Sequence, residues 1–217
     1  MEALADLSIA TIRRAMARPL PGPRGQMRMT PSYRLDPDMY RRHSHDCRRG
    51  AVLFLLYPWQ GELHTVLTVR RPDLPDHPGQ VAFPGGARDG NETVVQTALR
   101  EAHEEVGVDP ARVEILGRLT HIYIPPSHFC IQIVVGYTPE RPPWQPNPRE
   151  IALLLEPPLR HFCDRANWDE EWRLFQGQMH RIPFFRIGEH KVWGATAMTI
   201  AEFITLLEDE MARPLVQ

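Results

Sequence analysis

Two patterns of apolar and polar positions follow one another along this chain, and they separate strands from helices. Residues 51–58 form the continuous apolar run AVLFLLYP, which is typical of a buried strand. A polar turn at Gln60 and Gly61 separates this run from LHTVLTVR at 63–70, its predicted hairpin partner. Further strands are predicted at 113–120, 129–137, 151–156, 179–187 and 190–193.

Helical spacing of apolar residues appears in three segments. Residues 3–18 predict a short amphipathic helix, residues 92–106 a second helix, and residues 195–213 a closing helix. Candidate apolar contacts of the first helix are Leu4, Leu7, Ile12 and Met16. Because the strands and helices do not alternate regularly, the order predicts an α+β fold with a mixed sheet between helices.

The helix at 92–106 carries an apolar face and a cluster of carboxylates. Asn91 is a candidate N-cap, and Gly107 stands where a left-handed C-cap would end the helix. At about 100° per residue, Glu101, Glu104 and Glu105 fall within an arc of roughly 100° around the helix axis. We expect this arc to lie away from the apolar face. The apolar face comprises Val95, Ala98, Leu99, Ala102 and Val106, and the carboxylates are Glu101, Glu104 and Glu105.

These three carboxylates favour a hard divalent cation. Like charges at this spacing repel by about 0.2–0.5 kcal/mol per pair, and Mg²⁺ prefers oxygen ligands together with substrate phosphates. A solvated acidic helix face is the alternative that the glutamates alone leave open.

Composition and charge narrow the functional classes. The chain has 217 residues, of which 42 % are hydrophobic, and a net charge of −2, so no global field favours nucleic acid. No apolar run reaches the ~18 residues of a membrane span, and Asp6 and Ser8 interrupt any signal-peptide core. The three cysteines are widely spaced, so we expect no disulfide and a reducing, cytoplasmic location.

The chain divides by composition into two parts. Residues 1–49 form an extension with a helix, a Pro- and Gly-rich connector and basic residues, and residues 50–213 form the main domain. Cys47 lies near His43, His45 and Asp46, but flanking arginines favour a solvated loop there over a metal site. Exposed apolar residues on the terminal helices would be compatible with a homodimer.

The complete spacing from Gly86 to Val108 resembles the signature of the Nudix family. The matching positions are Gly86, Glu92, Arg100, Glu101, Ala102, Glu104, Glu105, Gly107 and Val108. The resemblance implies an α/β/α sandwich and divalent-metal-dependent hydrolysis of a pyrophosphate bond in a nucleoside diphosphate derivative. It implies Mg²⁺ or Mn²⁺ held by the three glutamates and the Gly86 carbonyl, with Arg100 holding the glutamates and Glu92 as its partner.

The segment before this signature resembles the coenzyme A pyrophosphatase branch of the family. Its matching positions are Leu67, Thr68, Arg70, Gly79, Phe83, Pro84, Gly85 and Gly86. Arg71 and Pro75 differ from the branch pattern, in which a small residue and an arginine occupy these positions. The resemblance implies coenzyme A or an acyl-coenzyme A as substrate, with products 4′-phosphopantetheine and adenosine 3′,5′-bisphosphate. Candidate substrate-binding residues are Arg70, Arg71, Phe83 and Gly85.

The implied reaction needs a group that takes a proton from the attacking water. Glu101, Glu104 and Glu150 are the candidate bases, and an exposed loop glutamate is the open alternative for Glu150, which lies directly before a predicted strand. His77, His121 and His128 are possible auxiliary groups. The resemblance implies a small nucleotide derivative as substrate, and we expect no organic cofactor, nucleic acid or membrane as partner.

Three alternatives stay open at this point. ADP-ribose or a dinucleotide would replace coenzyme A as substrate without a change in chemistry. An idle ligand-sensing Nudix module would have lost its glutamates, and all three are present here. An RNA-decapping enzyme would favour a basic surface, which the near-neutral charge does not encourage.

Overall fold

The computed structural model describes residues 7–34, 45–74, 78–175 and 177–212. Leu4, His43, Pro75 and His77 therefore lie outside the described residues. The helices are α1 (Ile9–Met16), α2 (Pro23–Gln26), α3 (Val94–Val106) and α4 (Gly194–Met211). The strands are β1 (Arg48–Trp59), β2 (Glu62–Thr65), β3 (Leu67–Arg70), β4 (Val81–Ala82), β5 (Gly85–Ala87), β6 (Glu114–Arg118), β7 (Ile122–Ile124), β8 (Phe129–Tyr137), β9 (Ile151–Leu155), β10 (Trp168–Phe175), β11 (Gln178–Ile187) and β12 (His190–Trp193).

A mixed sheet forms the centre of the fold. Its strand order is β2-β1-β8-β6, with β5 added to β1 and β7 added to β8. The pairing of β1 with β8 is parallel, whereas the other pairings in this sheet are antiparallel. Two smaller sheets, β4-β3-β9 and β10-β11-β12, complete the structure. The predicted α+β fold with a mixed sheet is confirmed.

Both faces of β1 are buried, which explains its continuous apolar run. Leu53 and Leu55 belong to a cluster with Ala98 of α3, whereas Phe54 belongs to the larger cluster with α1 and α4. Successive side chains of a strand point to opposite faces, so a strand covered on both sides needs apolar residues at every position.

The predicted hairpin at 63–70 is divided between two sheets. Residues 62–65 pair with β1, whereas residues 67–70 pair with β4 and β9. The strand prediction therefore located the segment correctly but missed the change of sheet at Val66. This change depends on packing, and the local sequence pattern does not reveal it. Strand β10 had no sequence prediction, because its residues WDEEWRLF show no regular alternation of apolar and polar positions and none of them is fully buried.

Helix α3 begins two residues later than predicted. Thr93 caps it, accepting a hydrogen bond from the Gln96 amide while the Gln96 side chain accepts from the Thr93 amide. This reciprocal capping box satisfies two free amides at once, so the proposed Asn91 cap is wrong. The helix ends as predicted at Gly107, with φ at 77° in the left-handed region.

Part of the N-terminal extension is packed into the core. Ile12, Ala15 and Met29 are buried in the same cluster as α4. Gln26 Nε2 donates to Glu202 Oε2 at 2.9 Å, and the Thr120 amide donates to Glu202 Oε1 at 3.1 Å. The buried Glu202 carboxylate thus connects the extension to α4, while the domain division between 49 and 50 stays a prediction.

Exposed apolar side chains are concentrated on one hairpin. Helix α4 is buried over most of its length, so it does not offer the apolar surface on which we based a possible homodimer. The exposed large apolar side chains of strands β10 and β11 are Trp172, Leu174, Phe175 and Met179. The homodimer stays a prediction.

Cys47 and Cys130 form a disulfide, so the expectation of unpaired cysteines is wrong for this pair. The parallel register pairs Arg49 with Cys130, which brings the residue before β1 beside the start of β8. Their separation of 83 residues conceals this proximity in the sequence. The cytoplasmic location rested partly on unpaired cysteines and stays a prediction.

We expect the Cys47–Cys130 disulfide to stabilise the protein by about 2–4 kcal/mol, because it closes a long loop in the unfolded chain. Guanidinium unfolding of the Cys47→Ser/Cys130→Ser variant should show this loss relative to the oxidised protein. A reductant should destabilise the native protein to the same level and leave the variant unaffected. Three reactive thiols in the denatured, unreduced protein would contradict the pairing.

Candidate functional site

Strand β5 and helix α3 bring the Gly86 backbone against the Glu101 carboxylate. Gly86 pairs with Ala51 at the edge of β1. A Cβ atom built at Gly86 would lie 2.5 Å from Glu101 Oε2, so the carboxylate occupies the space that a side chain would need. This close approach explains why glycine stands at this position.

Arg100 connects the carboxylates of α3. Its Nε donates to Glu92 Oε1 at 2.7 Å, and its Nη1 lies 2.8 Å from Glu101 Oε1 and 3.3 Å from Glu104 Oε2. The Arg100 guanidinium holds the pKa of Glu92 down to about 2, and Nη2 also donates to the Ala87 carbonyl at 3.0 Å. Charge-assisted bonds of this kind fix the rotamers of the glutamates.

Glu105 is buried, contrary to the expectation that all three glutamates lie away from the apolar face. It is 6 % exposed, and the Gly85 amide donates to its Oε2 at 3.1 Å. Burial raises the pKa of Glu105 to about 7, and the charges of Glu150 and Glu101 add to the rise. Glu105 follows Ala98 by almost two turns, so it lies at the edge of the apolar face and is covered by β5.

Glu150 lies near these carboxylates, in the turn before β9. Asn147 Nδ2 donates to Glu150 Oε1 at 3.2 Å, and the Asn147 amide donates to the Glu105 carbonyl at 2.8 Å. Burial raises the pKa of Glu101, and the charges of Glu104 and Glu150 contribute to the same rise. Glu150 therefore lies in the same cluster of negative charges as the carboxylates of α3, although it is distant from them in sequence.

The chemistry of these donors fits a hard divalent cation. Burial and mutual repulsion raise the pKa values of Glu101 and Glu105. A bound cation would therefore offset the electrostatic cost of keeping these carboxylates ionised. Within the described ranges, no three His, Cys, Asp or Glu side chains already stand at the mutual distances of a formed metal site. Arg100 engages one oxygen of Glu101 and one of Glu104, and each carboxylate has a second oxygen that can serve as a ligand.

A cavity of about 430 Å³ lies beside these carboxylates. Glu105 and Gly85 line it, and the pairing of β3 with β4 brings Arg70 to the same wall. Its apolar lining includes Val52, Val81, Phe83, Ile122, Ile131, Ile133 and Trp193. The volume is in the range of small-molecule sites, about 300–1,000 Å³.

Three of the four predicted substrate-binding residues line this cavity. They are Arg70, Phe83 and Gly85, although Phe83 is also a core residue that stacks on Phe54 at 4.4 Å. The positive charge of Arg70 opposes the rise of the Glu105 pKa. Arg71 is not among the described residues that line the cavity; its Nη1 donates to the Pro148 carbonyl, and its Nη2 lies 2.7 Å from Asp73.

His121 and His128 are not among the described residues that line this cavity. His121 lies with Arg49 and Cys130 beside the disulfide, and burial lowers the pKa of its imidazole. His128 Nδ1 shares a hydrogen bond with Tyr123 Oη at 2.8 Å.

Other residues of the cavity had no sequence prediction. Tyr33 and Arg34 come from the N-terminal extension, and Thr196 comes from the first turn of α4. Thr196 Oγ1 donates to the Val81 carbonyl at 3.1 Å, which anchors α4 at the cavity. No local motif identifies these side chains, because only tertiary contacts bring them to the cavity.

Comparison with known proteins matches this chain to one domain family. Residues 48–173 match the model of the NUDIX domain. NudL of Photorhabdus laumondii, an uncharacterized Nudix hydrolase, is 33 % identical over 165 residues that cover 76 % of this chain and 87 % of the relative. NudL of Pectobacterium atrosepticum is 36 % identical over 175 residues, with coverage of 77 % and 87 %.

Solved structures support the fold. RenU, a Nudix hydrolase from M. smegmatis, superimposes with a TM-score of 0.52 at 22 % identity, covering 78 % of this chain and 89 % of that chain. In the described part of this chain, no helix has the length and apolar character to cross a membrane.

The domain match over more than half of the sequence, together with the two NudL relatives, shows that this chain belongs to the Nudix family of hydrolases.

Proposed function

We propose that this Nudix pyrophosphohydrolase cleaves the pyrophosphate bond of coenzyme A or an acyl-coenzyme A. The products would be 4′-phosphopantetheine, or its acyl form, and adenosine 3′,5′-bisphosphate. The observation that carries the proposal is the dual position of Glu105, which belongs to the carboxylate cluster and also lines the cavity. A diphosphate at the carboxylates would therefore have its remaining groups directed into the cavity.

The proposed cation is Mg²⁺ or Mn²⁺, held by Glu101, Glu104, Glu105 and the Gly86 carbonyl. When bound, it would neutralise charge on the diphosphate and make the phosphorus more susceptible to attack. Arg100 would orient the glutamates through the hydrogen bonds that it already makes to Glu92 and the Ala87 carbonyl. Arg70, on the cavity wall, would contact a phosphate oxygen.

Glu150, Glu101 and Glu104 are the proposed candidates for the base that accepts the proton of water. The electrostatic influence of Glu150 on both Glu101 and Glu105 supports its membership of this group. Its hydrogen bond from Asn147 fixes the carboxylate without neutralising it.

The predominantly apolar lining supports a substrate with a long, weakly polar arm. The pantetheine part of coenzyme A has this character, whereas the second ribose of ADP-ribose needs many hydrogen-bonding partners. ADP-ribose and dinucleotides remain the alternative substrates for the same chemistry.

A turnover screen tests this proposal. Coenzyme A, ADP-ribose, diadenosine polyphosphates and capped RNA should be incubated with the protein and Mg²⁺ or Mn²⁺, and the products identified by mass spectrometry. We expect coenzyme A to have the highest kcat/KM and to yield the two products named above. Preference for another compound would overturn the coenzyme A assignment alone, whereas no turnover of any compound would overturn the enzymatic proposal.

A further inference from the structure

The cavity contains a second guanidinium group, Arg34, supplied by the N-terminal extension. Arg34 donates a hydrogen bond to the Tyr123 carbonyl of β7, and Arg34 and Arg70 both line the cavity. Among the described residues, no carboxylate forms an ion pair with Arg34 within 4.0 Å. Arg34 is partly buried, and this burial lowers the pKa of its guanidinium.

The segment that carries Arg34 is fixed by contacts to the hairpin of β10 and β11. The Arg181 amide donates to Ser32 Oγ at 3.1 Å, and Ser32 Oγ lies 3.2 Å from His180 Nδ1. The Tyr33 ring lies 5.1 Å from Phe175 and 5.6 Å from His180, measured between ring centroids. These contacts position Arg34 before any ligand binds, which reduces the entropic cost of using it.

The two guanidinium groups that line the cavity have different surroundings. Arg70 acts electrostatically on Glu105, at the carboxylate cluster. Arg34 instead meets the backbone of Tyr123, and the cavity wall near it is apolar, with Ile122 and Ile124. The Arg34 guanidinium has more N–H groups than its bond to the Tyr123 carbonyl uses, so it can also bind an anion of matching geometry in the cavity.

We propose that Arg34 is a specificity-determining residue that binds a phosphate monoester of the substrate, apart from the diphosphate that is cleaved. This inference rests on the proposed function and defines its substrate class as nucleoside diphosphate derivatives that carry one additional phosphate. In coenzyme A, that group is the 3′-phosphate of the adenosine. The planar guanidinium can bond two phosphate oxygens while one of its remaining N–H groups keeps the Tyr123 carbonyl.

Kinetics with coenzyme A and dephospho-coenzyme A, which lacks the 3′-phosphate, test the role of Arg34. The native protein should show a KM at least about 10-fold lower for coenzyme A, because dephospho-coenzyme A lacks the charge-assisted hydrogen bonds to Arg34. Arg34→Met should remove this difference by raising the KM for coenzyme A alone, with kcat retained. Arg34→Lys should restore part of the difference.

Arg24→Met is the matched control, because Arg24 also belongs to the extension but pairs with Asp209 on the surface. This variant should keep the discrimination of the native protein. Equal losses for both substrates in Arg34→Met, together with a lower melting temperature, would show that Arg34 only anchors the extension and would overturn the proposal. Native protein that does not discriminate between the two substrates would overturn it without any variant.

Binding measurements separate this inference from the proposed function. Calorimetric titration with adenosine 3′,5′-bisphosphate and with AMP requires no turnover. Preference for the bisphosphate that disappears in Arg34→Met would support the phosphate site even if coenzyme A were not hydrolysed. Equal affinity of the native protein for both nucleotides, alongside hydrolysis of coenzyme A, would overturn the phosphate site and leave the proposed function intact.

Discussion

Replacement of Glu105 by glutamine is expected to lower kcat by at least about 100-fold while the fold survives. Mutating groups that merely support metal ligands typically costs about 10–100-fold, so loss of a ligand charge should cost more. The fold should survive because the introduced amide oxygen can still accept the Gly85 amide hydrogen bond and the new side chain carries no buried charge. The measurement is steady-state hydrolysis of the preferred substrate in saturating Mg²⁺ or Mn²⁺.

Glu140→Gln provides the matched control for this variant. Glu140 has a 72 % exposed side chain that pairs with Arg112 at 2.7 Å, and it contacts none of the site residues described above. Its substitution should leave kcat within about twofold, as expected for surface changes. Near-native activity of Glu105→Gln would remove Glu105 from the proposed metal site.

The metal-free protein is expected to lose stability as the pH rises from about 4.5 to 7. Folding raises the pKa of Glu105 from 4.5 to about 7, so the folded state binds the proton more tightly than the unfolded state. The resulting stabilisation is complete below pH 4.5, falls through the interval and is lost above pH 7, with a magnitude of about 3 kcal/mol.

Denaturant unfolding in a chelating agent at pH 5 and pH 8 measures this effect. Other groups titrate over the same interval, so the informative quantity is the difference in unfolding free energy between the native protein and Glu105→Gln. The variant should gain stability relative to the native protein between pH 5 and pH 8, because its neutral side chain does not lose a proton. Mg²⁺ or Mn²⁺ should stabilise the native protein more at pH 8 than at pH 5, because protonation competes with the cation. A difference between the two proteins that is independent of pH would contradict the burial of a carboxylate at this position.

Several elements were predictable because their signals are local. The apolar run of β1, the periodicity of α3 and the left-handed cap at Gly107 each depend on residues that are neighbours in the chain. The Thr93 cap was missed because Asn91 and Thr93 are both good capping residues, and the reciprocal bond with Gln96 decides between them. The disulfide was missed because the parallel pairing of β1 with β8 brings together residues that lie far apart in sequence.

The sequence by itself determined the family resemblance and the residues of the carboxylate helix, since fixed spacing on one helix also fixes their relative directions. Only the tertiary structure decided their environments: α3 packs on β1 and β5, which buries Glu105 and leaves Glu104 more exposed. It also decided which distant residues meet this helix, bringing Glu150 to the carboxylates and Arg34 to the cavity. The physical reason is that burial and electrostatic interaction depend on distance in space, which the local spacing of residues does not encode.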